Sequence, residues 1–182
     1  MRRLLMAIFF LLIFLFWNAP VGNAQFREAG AEKLRVAVDA PDFTLKELGG
    51  GKISLKELRG KIILLNFFAT WWPNCKKESP SFAKLHEEFK NTDLALIKVA
   101  TKEKEKEILK YKKEHNFSSP ILFEDDAAVS TAYGVWSRPQ TFFINREGKI
   151  VGRALKEMDW TSKNMKDLIE YLLKEKKWTE GI

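Results

Sequence analysis

Apolar and polar positions fall into blocks along this chain, and the period changes from block to block. Residues 4 to 17, LLMAIFFLLIFLFW, are apolar without interruption; Arg2 and Arg3 precede them, and the small residues Gly22, Asn23 and Ala24 follow. That order is the pattern of an export leader with its cleavage site. A membrane-spanning helix needs about 20 consecutive apolar residues, and Asn18, Pro20, Gly22 and Asn23 dilute the run after Trp17. Residues 1–24 are therefore read as a signal peptide, with an uncleaved anchor as the alternative. Residues 25–33 read as a polar linker, and residues 34–179 as one folded domain.

Within that domain, Phe43 to Leu45 and Lys52 to Leu55 flank Gly49, Gly50 and Gly51, which predicts a small N-terminal β-hairpin. Ile62 to Ala69, IILLNFFA, is nearly all apolar and is bounded by Gly60 and Pro73. A run of that length and composition predicts a central strand covered on both faces. Pro73 suits the first helical position, and Phe82, Leu85 and Phe89 then mark one face of a helix running to about Lys90. Asp93 to Ala100 predicts a second buried strand, followed by an amphipathic helix over Glu103 to His115 that packs through Ile108, Leu109 and Tyr111. Strand, helix, strand, helix implies a parallel unit with a right-handed crossover.

Further on, Pro120 to Phe123 reads as extended, and Ala127 to Tyr133 as a short helix capped by Asp125 and Asp126. Gln140 to Ile144 and Lys149 to Ala154 pair back across the turn Asn145 to Gly148. A last helix starts after Asp159 or Thr161 and buries Met165, Leu168, Ile169, Leu172 and Leu173, ending at about Trp178. The pattern predicts an α/β fold: one central mixed sheet with helices on both faces.

A chain of 182 residues that is 46% hydrophobic suits one domain with an ample core. Removing Arg2 and Arg3 with the leader takes two units from the formal net charge of +7, leaving +5. Glu and Asp are interspersed among the basic residues, and no basic stripe alternates with aromatics, which argues against a nucleic-acid partner. His86 and His115 stand alone, so no metal site is expected. Gly49 to Gly51 lack the Lys-Ser/Thr pair of a phosphate loop, and no cofactor is expected.

Candidate chemistry centres on Cys75, the one cysteine of the chain. A single thiol cannot close an internal disulfide. Cys75 is either a small buried hydrophobe or a thiol that reacts with other molecules.

The strand end FFATW, the P-N-C-K-K-E-S-P that follows, and later YGVWSRPQTFFIN with GKIVG resemble thioredoxin-like proteins of the TlpA/ResA type. APDFTL and LKELRGK resemble the opening of the same redoxin (AhpC/TSA-like) domain. The resemblance implies a thioredoxin fold and an extracytoplasmic thiol-disulfide reductase activity, often serving cytochrome c maturation. It places the mature chain in the bacterial periplasm, or on the outer face of the cytoplasmic membrane if the leader stays uncleaved. Where the family carries W-C-x-x-C, this chain has Trp71, Trp72, Pro73, Asn74 and Cys75.

In the family's reaction the first thiolate attacks the target disulfide and the second cysteine resolves the mixed disulfide. Trp72 stands at the attacking position and can do neither, while Cys75 occupies the resolving one. Glu78 matches the family's acidic position and is a candidate proton relay. The family's cis proline facing the redox motif maps to Pro139, preceded by Arg138. Trp72, Trp136, Arg138 and Pro139 then form a candidate substrate-binding surface, with Trp71 either part of it or packing its rim.

Three functions remain open. The chain is a redoxin that binds a protein or peptide partner, such as a thiol protein of the envelope, without dithiol exchange. It is a single-thiol enzyme using Cys75 for mixed-disulfide or peroxide chemistry. Or it is a stable fold with no ligand at this surface.

Overall fold

A strand that is nearly all apolar can face water on neither side, and that fixes the middle of this molecule. In a computed structural model of the chain, residues 21–175 are described. Residues 1–20, which hold most of the expected leader, and Trp178, the expected end of the last helix, lie outside the described residues.

In chain order the elements are α1 (Val21–Glu28), β1 (Glu32–Asp39), β2 (Thr44–Glu47), β3 (Lys52–Ser54), a 3-10 helix (Lys56–Leu58), β4 (Ile62–Phe68), α2 (Pro73–Phe89), β5 (Leu94–Thr101), α3 (Glu105–Glu114), β6 (Ile121–Glu124), α4 (Ala128–Ala132), β7 (Gln140–Ile144), β8 (Lys149–Ala154) and α5 (Lys163–Lys174). The strands form one mixed sheet in the order β1-β8-β7-β4-β5-β6-β2-β3. β4 runs parallel to β5 and antiparallel to β7, and β5 is parallel to β6. β2 and β3 form the expected hairpin, which extends the sheet beyond β6.

All seven residues of β4 are buried, and successive side chains enter opposite cores, as the two-residue period of a strand requires. Ile62, Leu64 and Phe68 join Phe82 and Leu85 of α2, Ile108 and Tyr111 of α3, and Met165, Leu168, Ile169 and Leu172 of α5. Ile63, Leu65 and Phe67 join Phe43, Leu45, Leu55 and Tyr133 on the other face, with Val129 of α4 packed against them. Helices thus cover both faces, unevenly.

Three sequence expectations need correction. The polar stretch 25–33 is not a linker, because it contains the second half of α1 and the start of β1. Phe26 is fully buried and meets the ring of Phe143 edge-on, with centroids 5.3 Å apart. Gly152 makes that contact possible: a Cβ there would come within 2.1 Å of the Phe26 ring. Leu109 does not pack and is 43% exposed; Ile108 and Tyr111 carry the buried face of α3.

The start of α4 is held chiefly by Glu124, whose buried carboxylate accepts the N–H groups of Val129 and Ser130, while Asp126 accepts only that of Ala128 and Asp125 lies exposed. α5 is capped by Ser162, which accepts from the backbone N–H of Met165.

Phe26→Ala is expected to cost about 3–5 kcal/mol, the range for emptying a buried aromatic site. Gly152→Ala is also destabilising, and less so when Phe26 is already Ala, because the two share one space. Urea unfolding of the single and double variants measures both effects.

Candidate functional site

β4 delivers the chain to Ala69, and a tight turn then starts α2. The backbone N–H of Trp72 donates to the carbonyl of Ala69 at 3.2 Å. Trp72 occupies the N-cap of α2 in extended conformation (φ −79°, ψ 126°), with Pro73 in the first turn where a missing N–H costs nothing. Glu103, just ahead of α3, fastens this turn from outside: its carboxylate accepts the Thr70 N–H at 2.9 Å and also the Thr70 hydroxyl.

Cys75 lies beneath the turn and is fully buried. The Ala69 N–H points at its sulfur from 3.5 Å, and its backbone carbonyl accepts the hydroxyls of Ser79 and Tyr111 at 2.6 and 3.0 Å. Burial pushes the thiol up to about 11; the Ala69 N–H, Lys98 and Arg138 pull weakly the other way, and Glu78 adds to the rise. At neutral pH Cys75 is a neutral, buried thiol.

One helical turn on, Glu78 is also buried, not solvated. One carboxylate oxygen accepts Asn66 Nδ2 at 2.9 Å; the other accepts Trp160 Nε1 at 3.1 Å and the Met158 N–H at 3.3 Å. Lys98 Nζ stands 3.9 Å from Glu78 Oε1. It sits among the rings of Phe82, Phe68 and Phe117, with centroids 4.5, 4.9 and 4.9 Å away, a cation–π setting. Burial raises the Glu78 carboxyl pKa against the pull of Lys98 and its three hydrogen bonds, and burial lowers that of Lys98 against the pull of Glu78 and Cys75.

Above the thiol, Ala69, Trp71, Trp72, Trp136, Ser137 and Arg138 line a cleft of about 320 Å³. Trp71 and Trp136 are 66% and 72% exposed and Trp72 40%, so three indoles face solvent around one opening. The Trp71 and Trp72 rings meet edge to face at 5.3 Å. The peptide bond between Arg138 and Pro139 is cis. Pro139 is buried behind the cleft, at the start of β7.

The structure therefore brings Trp72, Trp136 and Arg138 to one surface, with Cys75 and Pro139 beneath it. Glu78 borders a separate cleft instead, with Lys77, Lys84, Lys156 and Asp159. Sequence reasoning missed Asn66, Lys98 and Trp160. Asn66 and Lys98 each interrupt an apolar strand, and a polar residue in a strand covered on both faces must find a buried partner; that signal could have found the first two.

Residues 36–153 match the AhpC/TSA family. The chain is 37% identical over 129 residues to the thiol-disulfide oxidoreductase ResA of Bacillus subtilis (strain 168), covering 71% of each. It is 30% identical over 158 residues to ResA of Bacillus anthracis, covering 86% of this chain and 90% of that one. The thioredoxin domain of a thiol-disulfide oxidoreductase from Bacteroides vulgatus superposes with a TM-score of 0.66 at 25% identity, over 74% of this chain and 95% of that one. A thioredoxin-family thiol:disulfide interchange protein from Chlorobium tepidum shares the fold, with a TM-score of 0.67 at 21% identity over 76% and 97%.

Alkylation of Cys75 by iodoacetamide in the folded protein is expected to be much slower at pH 8 than in urea and to be still rising with pH at about 11. In urea the profile shifts down to that of an ordinary thiol. A native rate at pH 8 equal to the unfolded rate would contradict the burial.

Proposed function

The chain belongs to the AhpC/TSA family and is a thioredoxin-like protein of the TlpA/ResA type, and from that premise we propose that it is an exported redoxin that binds a protein or peptide partner without dithiol exchange. The observation that carries this reading is Trp72 at the N-cap of α2, where the family's attacking cysteine stands. An indole neither attacks a disulfide nor leaves as a thiolate. Cys75, the one cysteine in the chain, is sealed beneath it with a raised pKa.

The cleft supports binding. Aromatic side chains clustered at a surface give a large apolar contact area at low conformational cost, and such residues dominate partner recognition. A partner segment laid across the cleft would place an apolar side chain between Trp72 and Trp136, with Arg138 available to a carbonyl or carboxylate. Single-thiol chemistry at Cys75 would need an exposed, acidified sulfur, and the burial of Cys75 weighs against it. Peroxide reduction further lacks the T-x-x-C spacing, since Thr70 precedes Cys75 by five positions. The expected site of action is the bacterial periplasm or the outer face of the cytoplasmic membrane.

Insulin reduction with dithiothreitol tests the chemistry. The unaltered protein is expected to run at background and Trp72→Cys, which restores the second thiol, to turn over; equal turnover by both would sink the proposal. Binding is tested with an unfolded, cysteine-blocked polypeptide followed by calorimetry. Trp136→Ala is expected to weaken it about tenfold or more, the scale of a buried aromatic anchor.

A further inference from the structure

β1 closes one end of the sheet and pairs only with β8. The pairing is interrupted: Glu32 and Lys33 lie opposite Arg153 and Gly152, Val38 and Asp39 lie opposite Ile150 and Lys149, and residues 34–37 stand out of register between them. An edge strand offers its outer backbone groups to any strand that fits, and exposed β-branched residues make the fit favourable. Val36 is 61% exposed and Val38 47%, the two most exposed aliphatic residues of the sheet among those described. Leu34 is partly buried against one core and Ala37 is buried in the other, so Val36 and Val38 share the face of Leu34.

The sequence Arg35-Val36-Ala37-Val38-Asp39 complements itself when read against its own reverse. Centred on Ala37, an antiparallel pair sets Arg35 opposite Asp39, Val36 opposite Val38 and Ala37 opposite Ala37. Opposite charges and paired β-branched side chains are the contacts that stabilise neighbouring strands. Centring on Val38 would instead place Arg35 opposite Pro41, which has no N–H to share. Asp39 is 81% exposed at its side chain even while 3.0 Å from Lys149, so it can accept a second cation.

We propose that β1 pairs with β1 of a second copy of this chain, antiparallel about a two-fold axis at Ala37, joining the two sheets into one. The contact is the same patch on both copies and closes on itself, so it yields a dimer and not a filament. Val36 and Val38 of both copies form one covered apolar strip, flanked by two Arg35–Asp39 pairs. The edge lies on the far side of β8, β7 and β4 from the β5 end of the sheet, and the proposal does not rest on the partner-binding role of the tryptophan cleft.

Sedimentation equilibrium of the full chain in a density-matched non-ionic detergent tests it. The unaltered chain is expected to dimerise. Arg35→Asp and Asp39→Arg are each expected to weaken self-association at least about tenfold, because each sets like charges together twice. An equimolar mixture of the two variants is expected to dimerise again, since both contacts then pair Asp with Arg. Val36→Lys, at an exposed position, is expected to abolish association independently. A monomeric unaltered chain at tens of micromolar overturns the proposal, as does a dimer indifferent to these substitutions or a mixture that stays monomeric; the last result would fit an edge that receives a peptide from another protein.

Discussion

The carboxylate of Glu78 is the point where four parts of the molecule meet. Asn66 reaches it from β4, Lys98 from β5, Trp160 and the Met158 N–H from the segment before α5, and Glu78 itself projects from α2. A buried carboxylate must find opposite charge or hydrogen bonds, and here it finds both. The consequence is positional: α2 cannot slide or rotate over the sheet without leaving Lys98 and three donors unmatched in an apolar core. The start of α2, and with it Trp72 and Cys75, is fixed by this network from below and by the Thr70–Glu103 contact from above. A pair of this kind is a weak source of net stability, since apolar residues of similar volume often do as well. Breaking it by removing one partner is what costs. Its role here is to specify one arrangement.

How legible the fold was depended on how local the cause was. β4, β7, β8 and α2 follow from apolar runs bounded by Gly or Pro within a few residues, and the expected bounds agree with Ile62–Phe68, Gln140–Ile144, Lys149–Ala154 and Pro73–Phe89. α1 was illegible because its one buried aromatic, Phe26, is explained only by Phe143 and Gly152, more than a hundred residues away. In a polar segment, a lone Phe carries no period. The cap of α4 escaped for a similar reason: Asp125 and Asp126 have the right chemistry at the right place, but Glu124 holds the N–H groups from inside the core, at the end of β6.

The candidate site divides along the same line. The sequence alone located Trp72 and Cys75, because helix register follows from Pro73, and register decides which of two positions three apart is capped outward and which turns in. It could not supply the depth of Cys75, which depends on how Tyr111 and Ser79 close over its carbonyl, nor the partners of Glu78. Those are contacts of α2 with β4, β5, α3 and the chain before α5, and no spacing within one element encodes them.

The surviving network also bears on what Trp72 does. A positively polarised helix start favours negative charge, and a thiolate at the N-cap would draw on it. With an indole there, no anion develops at this position, and the N-terminal field of α2 has no reacting sulfur to act upon. Beneath it, Glu78 and Lys98 form a buried pair, and burial keeps the Cys75 thiol neutral at physiological pH. What the structure shows of this network is its positional effect, which holds α2 in place. That effect reaches the surface through Trp72, whose ring packs on Trp71 and faces the opening shared with Trp136 and Arg138. On the proposed reading, a rigid helix start that presents aromatic rings instead of a nucleophile recognises a segment and releases it unchanged.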